Sequence, residues 1–167
     1  WPVVLLPLLL AVGGPGDEAP RTAAEVSGWT RTSRHGEVMA FLRRLAAASP
    51  RLRLTRLGRS PAGREIPLAV VGDPLPREPL PRAGRQRPVL YFQANIHAGE
   101  VAGKEALLML LREATLGGRH RRALGRVVLL AAPIFNCDGN EAISPANRPW
   151  QEGPAQGVGR RANGQGL

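Results

Sequence analysis

The chain has 167 residues, 43% hydrophobic and 22% charged, a globular balance with room for one domain and a core of its own rather than a disordered tail. Its formal charge is +10, nearly all of it arginine, since Lys104 is the only lysine. Aromatics are 4% and none interleave with the basic clusters (Arg82, Arg85 and Arg87; His120, Arg121 and Arg122), so no stacking platform or groove-reading helix forms and nucleic acid is excluded as a partner.

Trp1 to Val12 is an apolar run with two prolines, too short to span a bilayer. It reads as the hydrophobic region of a signal peptide that lacks its Met and basic start, with small residues at Ala11, Gly13 and Gly14 offering a cleavage site. Residues 1–14 are therefore expected to be a signal-peptide remnant and 15–27 a polar linker. The protein is expected to be secreted or periplasmic, with no stable membrane span.

Ser33 is positioned to cap a helix in which Val38, Phe41, Leu42 and Leu45 recur at helical spacing and which Pro50 ends. Leu52 to Leu57 alternates as a half-buried strand. Ser60 to Gly63 is a turn, and Ile66 to Val71 is the partner strand of a hairpin. Asp73 to Pro88 holds five prolines and reads as a loop. Val89 to Gln93 reads as a short buried strand, and Ala102 to Leu116 as a deeply packed helix with Gly117 and Gly118 as its cap. Val127 to Ala132 reads as a second buried strand, which completes a parallel βαβ unit. Beyond Ile134 the periodicity is lost. Cys137, the lone cysteine, reads as a buried structural thiol.

The segment with the most chemistry is Asn95-Ile-His-Ala-Gly-Glu100, which leaves a buried strand and enters a helix. Two residues separate His97 from Glu100, so one turn brings imidazole and carboxylate together. Zinc takes nitrogen and oxygen ligands of this kind. Alone, the same spacing also describes a surface histidine beside a glutamate that complements a helix dipole.

Three further segments accompany it in order: Leu57-Gly-Arg-Ser-Pro-Ala-Gly-Arg-Glu-Ile66, Asn136-Cys-Asp-Gly139 and Ser144-Pro-Ala-Asn-Arg148. Together the four resemble the M14 family of zinc carboxypeptidases (carboxypeptidase A-like metallopeptidases), over roughly residues 28–167. The resemblance implies an α/β fold with a mixed, largely parallel sheet and helices on both faces. It implies the N-terminal part of a catalytic domain, truncated so that its C-terminal half is missing. It further implies Zn2+ held by His97 and Glu100, a substrate site containing Asn147 and Arg148, and zinc-dependent hydrolysis of peptide bonds in a peptide or protein substrate. The third zinc ligand and the general-base glutamate would lie downstream, so no catalytic acid or base is expected here; His35 and His120 are poorly placed as ligands. Three positions depart from the digestive members' pattern: Gly99 and Gln151 stand where those have arginine, and Cys137 where they have proline. Two alternatives remain open. One is the related zinc amidohydrolase branch that deacylates N-acyl amino acids. The other is an inactive secreted binding module of the same fold.

Overall fold

Alternating and apolar strand segments with helices between them fold here into one open sheet. The computed structural model describes residues 19–76, 87–150 and 152–160. The apolar run Trp1–Val12, the cleavage region, most of the proline-rich loop with Arg82 and Arg85, Gln151, and residues 161–167 lie outside the described residues.

The hairpin forms as expected. Strand β1 (Leu52–Arg59) pairs antiparallel with β2 (Glu65–Val71), with a bulge between Arg56 and Gly58. The turn closes through Gly63, whose φ of 79° lies in the left-handed region that glycine enters without penalty. Strand β2 then pairs antiparallel with β4 (Val128–Ala132), and β4 pairs parallel with β3 (Val89–Gln93), giving the order β1-β2-β4-β3. The sheet is thus mixed, and the βαβ unit supplies its one parallel pair among the described strands.

Helix α2 (His35–Ala48), which follows a short helix α1 (Ala23–Val26), turns Val38, Phe41, Leu42 and Leu45 onto the sheet. Helix α3 (Val101–Thr115) adds Leu107, Leu108, Leu111 and Ala114 to the same cluster. Sheet residues Leu52, Ala69, Val71, Leu129 and Ala131 complete this core from one face. Burying a side chain such as Leu108 contributes about 2 kcal/mol, so this cluster dominates the stability. Among the described residues, both long helices pack on this face. On the other face, among the described residues, Val70 and Val128 pack with only Leu75 and Leu130.

Four local expectations change. Strand β3 is not buried: Val89, Leu90, Tyr91 and Phe92 are 38–47% exposed. Among the described strands it lies at the edge of the sheet with one paired neighbour, so its apolar sequence reports hydrophobicity but not cover. Ser33 does not cap α2; the cap position is Arg34, whose N–H donates to Glu37, while the His35 N–H donates to Glu141. Ser33 is buried and bonded to Glu105 instead. Gly117 does not end α3 in a left-handed turn; a Cβ there would stand 2.7 Å from the Glu113 carbonyl, so close packing is what requires glycine. Part of the stretch read as linker is folded: Thr22 caps α1, Ala23 and Ala24 are buried, and Glu25 takes two hydrogen bonds from Arg112 at 2.7 and 2.8 Å. Small polar residues look alike in a linker and in a capped turn, so composition does not separate the two. Among the described residues, no helix is long and apolar enough to cross a membrane.

Candidate metal and substrate site

The parallel pairing of β3 with β4 continues beyond both strands. Phe135 N–H donates to the Ala94 carbonyl and Asn136 N–H to that of Asn95, so the two exit loops run side by side at the carboxyl ends of the strands. This is where open α/β sheets place their ligands. Asn95 takes a positive φ of 60°, a conformation that asparagine tolerates better than other non-glycine residues. Its side-chain amide donates to the Ala98 carbonyl, and its buried Oδ1 has no partner among the described residues.

The chain then closes a tight turn, with the Glu100 N–H donating to the His97 carbonyl at 2.8 Å. That turn puts His97 Nδ1 3.1 Å from Glu100 Oε1, and both side chains are about half exposed. Arg148 arrives from the far loop and donates from Nη2 to Glu100 Oε1 at 3.0 Å. Hydrogen bonds from Arg148 first, and from His97 second, hold the Glu100 carboxyl below its ordinary value, so it is ionised near neutrality.

Three of the four sequence-predicted residues therefore meet: His97, Glu100 and Arg148. Asn147 stands beside them but is otherwise engaged. Its Nδ2 donates to the carbonyls of Ala142 and Val158, both at 2.7 Å, so it fastens the loop that carries Arg148. That loop contains a 3-10 turn (Pro145–Asn147) capped by the Ser144 hydroxyl, and Ser144 bridges to Val158. His35 and His120 stay away from the site: His35 Nε2 donates to the Glu65 carbonyl, and His120 precedes a short helix α4 (Arg121–Leu124). Among the described residues no cluster of three or more His, Cys, Asp or Glu is arranged to hold a metal.

Sequence reasoning missed what joins the motifs. Asn136 opens helix α5 (Cys137–Glu141), its side chain accepting from the Gly139 N–H. Asp138 accepts from Ser60 Oγ at 2.8 Å, the Ala62 N–H at 3.0 Å and Arg64 Nη1 at 2.6 Å, which locks α5 to the hairpin tip. Burial works to raise the Asp138 carboxyl, but the amide, hydroxyl and guanidinium together outweigh it and hold it low. A cavity of about 180 Å³ opens beside His97 between these parts, with Pro61, Ile66, Ile96 and Phe135 as its apolar lining. Cys137 borders it yet is buried, and burial pushes its thiol up to about 12, so it is no nucleophile near neutrality.

The fold resembles solved carboxypeptidases. Carboxypeptidase A from Helicoverpa armigera superposes with a TM-score of 0.59 at 19% identity, covering 83% of this chain and 31% of that one. Bovine thrombin-activatable fibrinolysis inhibitor, solved in complex with tick carboxypeptidase inhibitor, superposes with a TM-score of 0.56 at 13% identity, covering 81% of this chain and 39% of that one. The chain thus spans about a third of the length of these structures. No curated protein matches the sequence. The zinc carboxypeptidase family pattern matches residues 38–166, which contain all four motif segments, and the chain therefore belongs to the zinc carboxypeptidase (M14 peptidase) family.

Proposed function

We propose that the protein is a zinc-dependent carboxypeptidase in which His97 and Glu100 are metal ligands and Arg148 engages an anionic group of the peptide substrate. The observation that carries this reading is the convergence of His97, Glu100 and Arg148 at the carboxyl ends of β3 and β4 in a chain of this family. An imidazole nitrogen and an ionised carboxylate 3.1 Å apart on an exposed turn suit the donor preference of zinc. When bound, zinc supplies Lewis-acid polarisation of a peptide carbonyl and acidification of a water molecule. The protein's own groups do the rest. The 97–100 turn holds both ligands in register. Asn147 anchors the loop that presents the Arg148 guanidinium, whose planar fork suits a carboxylate or a developing oxyanion.

We further propose that the third ligand and the general base come from sequence beyond residue 167. The small share of the relatives' length that this chain covers supports that reading. Export through the N-terminal apolar run belongs to the same proposal.

The test uses the full-length chain. Metal content is measured for the wild type, His97→Ala and Glu100→Ala, alongside hydrolysis of matched peptides with free and amidated C-termini. Each substitution is expected to remove bound zinc and activity, and the double variant to be no worse than either single one, because the ligands act as a unit. Arg148→Ala is expected to keep zinc and to lose its preference for the free carboxylate. Full zinc occupancy in His97→Ala would overturn the ligand assignment.

A further inference from the structure

Arg148 reaches Glu100 through a passage that exists because residue 99 has no side chain. A Cβ on Gly99 would stand 2.6 Å from Arg148 Nε, 2.9 Å from its Cδ and 3.1 Å from the Gly159 carbonyl. Optimal heavy-atom contacts lie near 3.5–4.0 Å, so the first two positions are excluded and the arginine stem would have to leave. Gly99 does not need glycine's backbone freedom, since its φ lies outside the left-handed region. The requirement is for space alone.

The surroundings leave the Arg148 side chain as the part able to yield. On one side Asn147 is tied to two carbonyls, and the Ser144 N–H donates to the Val158 carbonyl at 3.1 Å. On the other, backbone lies on backbone. A Cβ on Gly159 would stand 2.7 Å from the Gly139 carbonyl and 2.8 Å from that of Ala98, and the Arg160 N–H donates to the Gly139 carbonyl at 2.8 Å. Residues 144–147 and 158–160 are therefore clamped against the 97–100 turn and α5 by walls that carry no adjustable side chain.

We infer that Gly99 is a positioning residue: its missing side chain sets where the Arg148 guanidinium stands, and so decides how strongly the site holds an anionic ligand group. The identity of that group as a substrate carboxylate rests on the function proposed above; the steric coupling between residues 99 and 148 does not.

Two measurements on the full-length, zinc-loaded protein test this. The first is a double-mutant cycle read by thermal melting. Gly99→Ala is expected to lower the melting temperature, and to lower it clearly less in an Arg148→Ala background, where the principal clash is gone. The second is calorimetric binding of acetylphenylalanine and its amide. Gly99→Ala is expected to weaken the free acid about tenfold, the loss of one charge-assisted contact, while leaving the amide and the zinc content unchanged. Gly103→Ala on the exposed first turn of α3, where the nearest atom is Ala94 Cβ at 3.7 Å, serves as a control and is expected to change neither.

Equal melting shifts with and without the Arg148 guanidinium would overturn the inference, as would equal loss of acid and amide binding. If Gly99→Ala alone does not fold, recovery of folding by adding Arg148→Ala supports the inference, and failure of both overturns it. Retention of zinc by His97→Ala would sink the proposed function, while the melting cycle would still decide the placement of Arg148.

Discussion

Lys104 and Glu105 lie about one helical turn beyond His97 and Glu100, and the two pairs look alike on paper. Each brings a basic nitrogen near a carboxylate, at 3.8 Å for Lys104 and Glu105 and 3.1 Å for His97 and Glu100. Their surroundings differ completely. Lys104 has no exposed surface; its ammonium donates to the Ser33 carbonyl and to Asn140 Oδ1. Glu105 accepts from Thr32 Oγ, Ser33 N–H and Ser33 Oγ. Every strong partner of that pair is internal, and it joins α3 to the loop before α2 and to α5. The His97 and Glu100 pair is about half exposed, and among the described residues Arg148 is the one further donor to its carboxylate. The lesson is that a charged pair acts on the outside world only where its bonding capacity has not been consumed within the fold.

The largest test of that contrast is Lys104→Ala. It leaves Asn140 Oδ1 without its donor and the Ser33 carbonyl with only the longer bond from Asn140 Nδ2, and it opens a cavity under α3, so a loss of about 3–5 kcal/mol in denaturant unfolding is expected. Burial pushes the Lys104 ammonium down to about 8, so its internal bonds compensate only part of its desolvation. A Lys104→Ala protein as stable as the wild type would erase the distinction between the two pairs.

A second, partly buried pair sharpens the contrast through pH. The hydrogen bond from Arg112 chiefly holds Glu25 down, to about 2 against an ordinary 4.5. A carboxyl depressed in the folded state stabilises above the unfolded value and loses that contribution as pH falls through the folded one. Glu25→Gln is therefore expected to cost about 2 kcal/mol at neutral pH. The difference from wild type should shrink between pH 4.5 and 2, as read by urea unfolding across that range.

Asp138→Asn is expected to cost slightly less, about 1–2 kcal/mol, because the single amide oxygen can keep either the Ser60 hydroxyl or the Ala62 N–H but not both, and Arg64 loses its charge partner. The smallest effect belongs to the site. His97→Ala and Glu100→Gln are each expected to change metal-free stability by no more than about 0.5 kcal/mol, as exposed groups do. A large loss at either position would return the pair to a structural role.

Much of the frame was legible from the chain alone. The hairpin, α2 and α3 follow from period and punctuation. The parallel pairing of β3 with β4 follows from the handed βαβ connection, and the His97–Glu100 turn from its spacing. Less legible were features with two physical sources. The apolar run 89–93 signals a strand, but its exposure depends on how many neighbours the strand has. Thr32, Ser33, Lys104 and Glu105 carry the same polar signature as solvent-facing residues, and only their separation of about 70 positions in sequence, closed by folding, makes them a core network.

Local order along the chain thus determined which segments become strands and helices, since backbone periodicity and turn chemistry act over a few residues. It also determined that an imidazole and a carboxylate meet on one turn. Tertiary structure alone decided that Arg148 joins them from 48 positions away, that Asn147 serves the loop, and that Gly99 is needed for space rather than for its dihedral angles. These depend on which distant backbones cross at van der Waals distance, which becomes visible only when the chain has closed on itself.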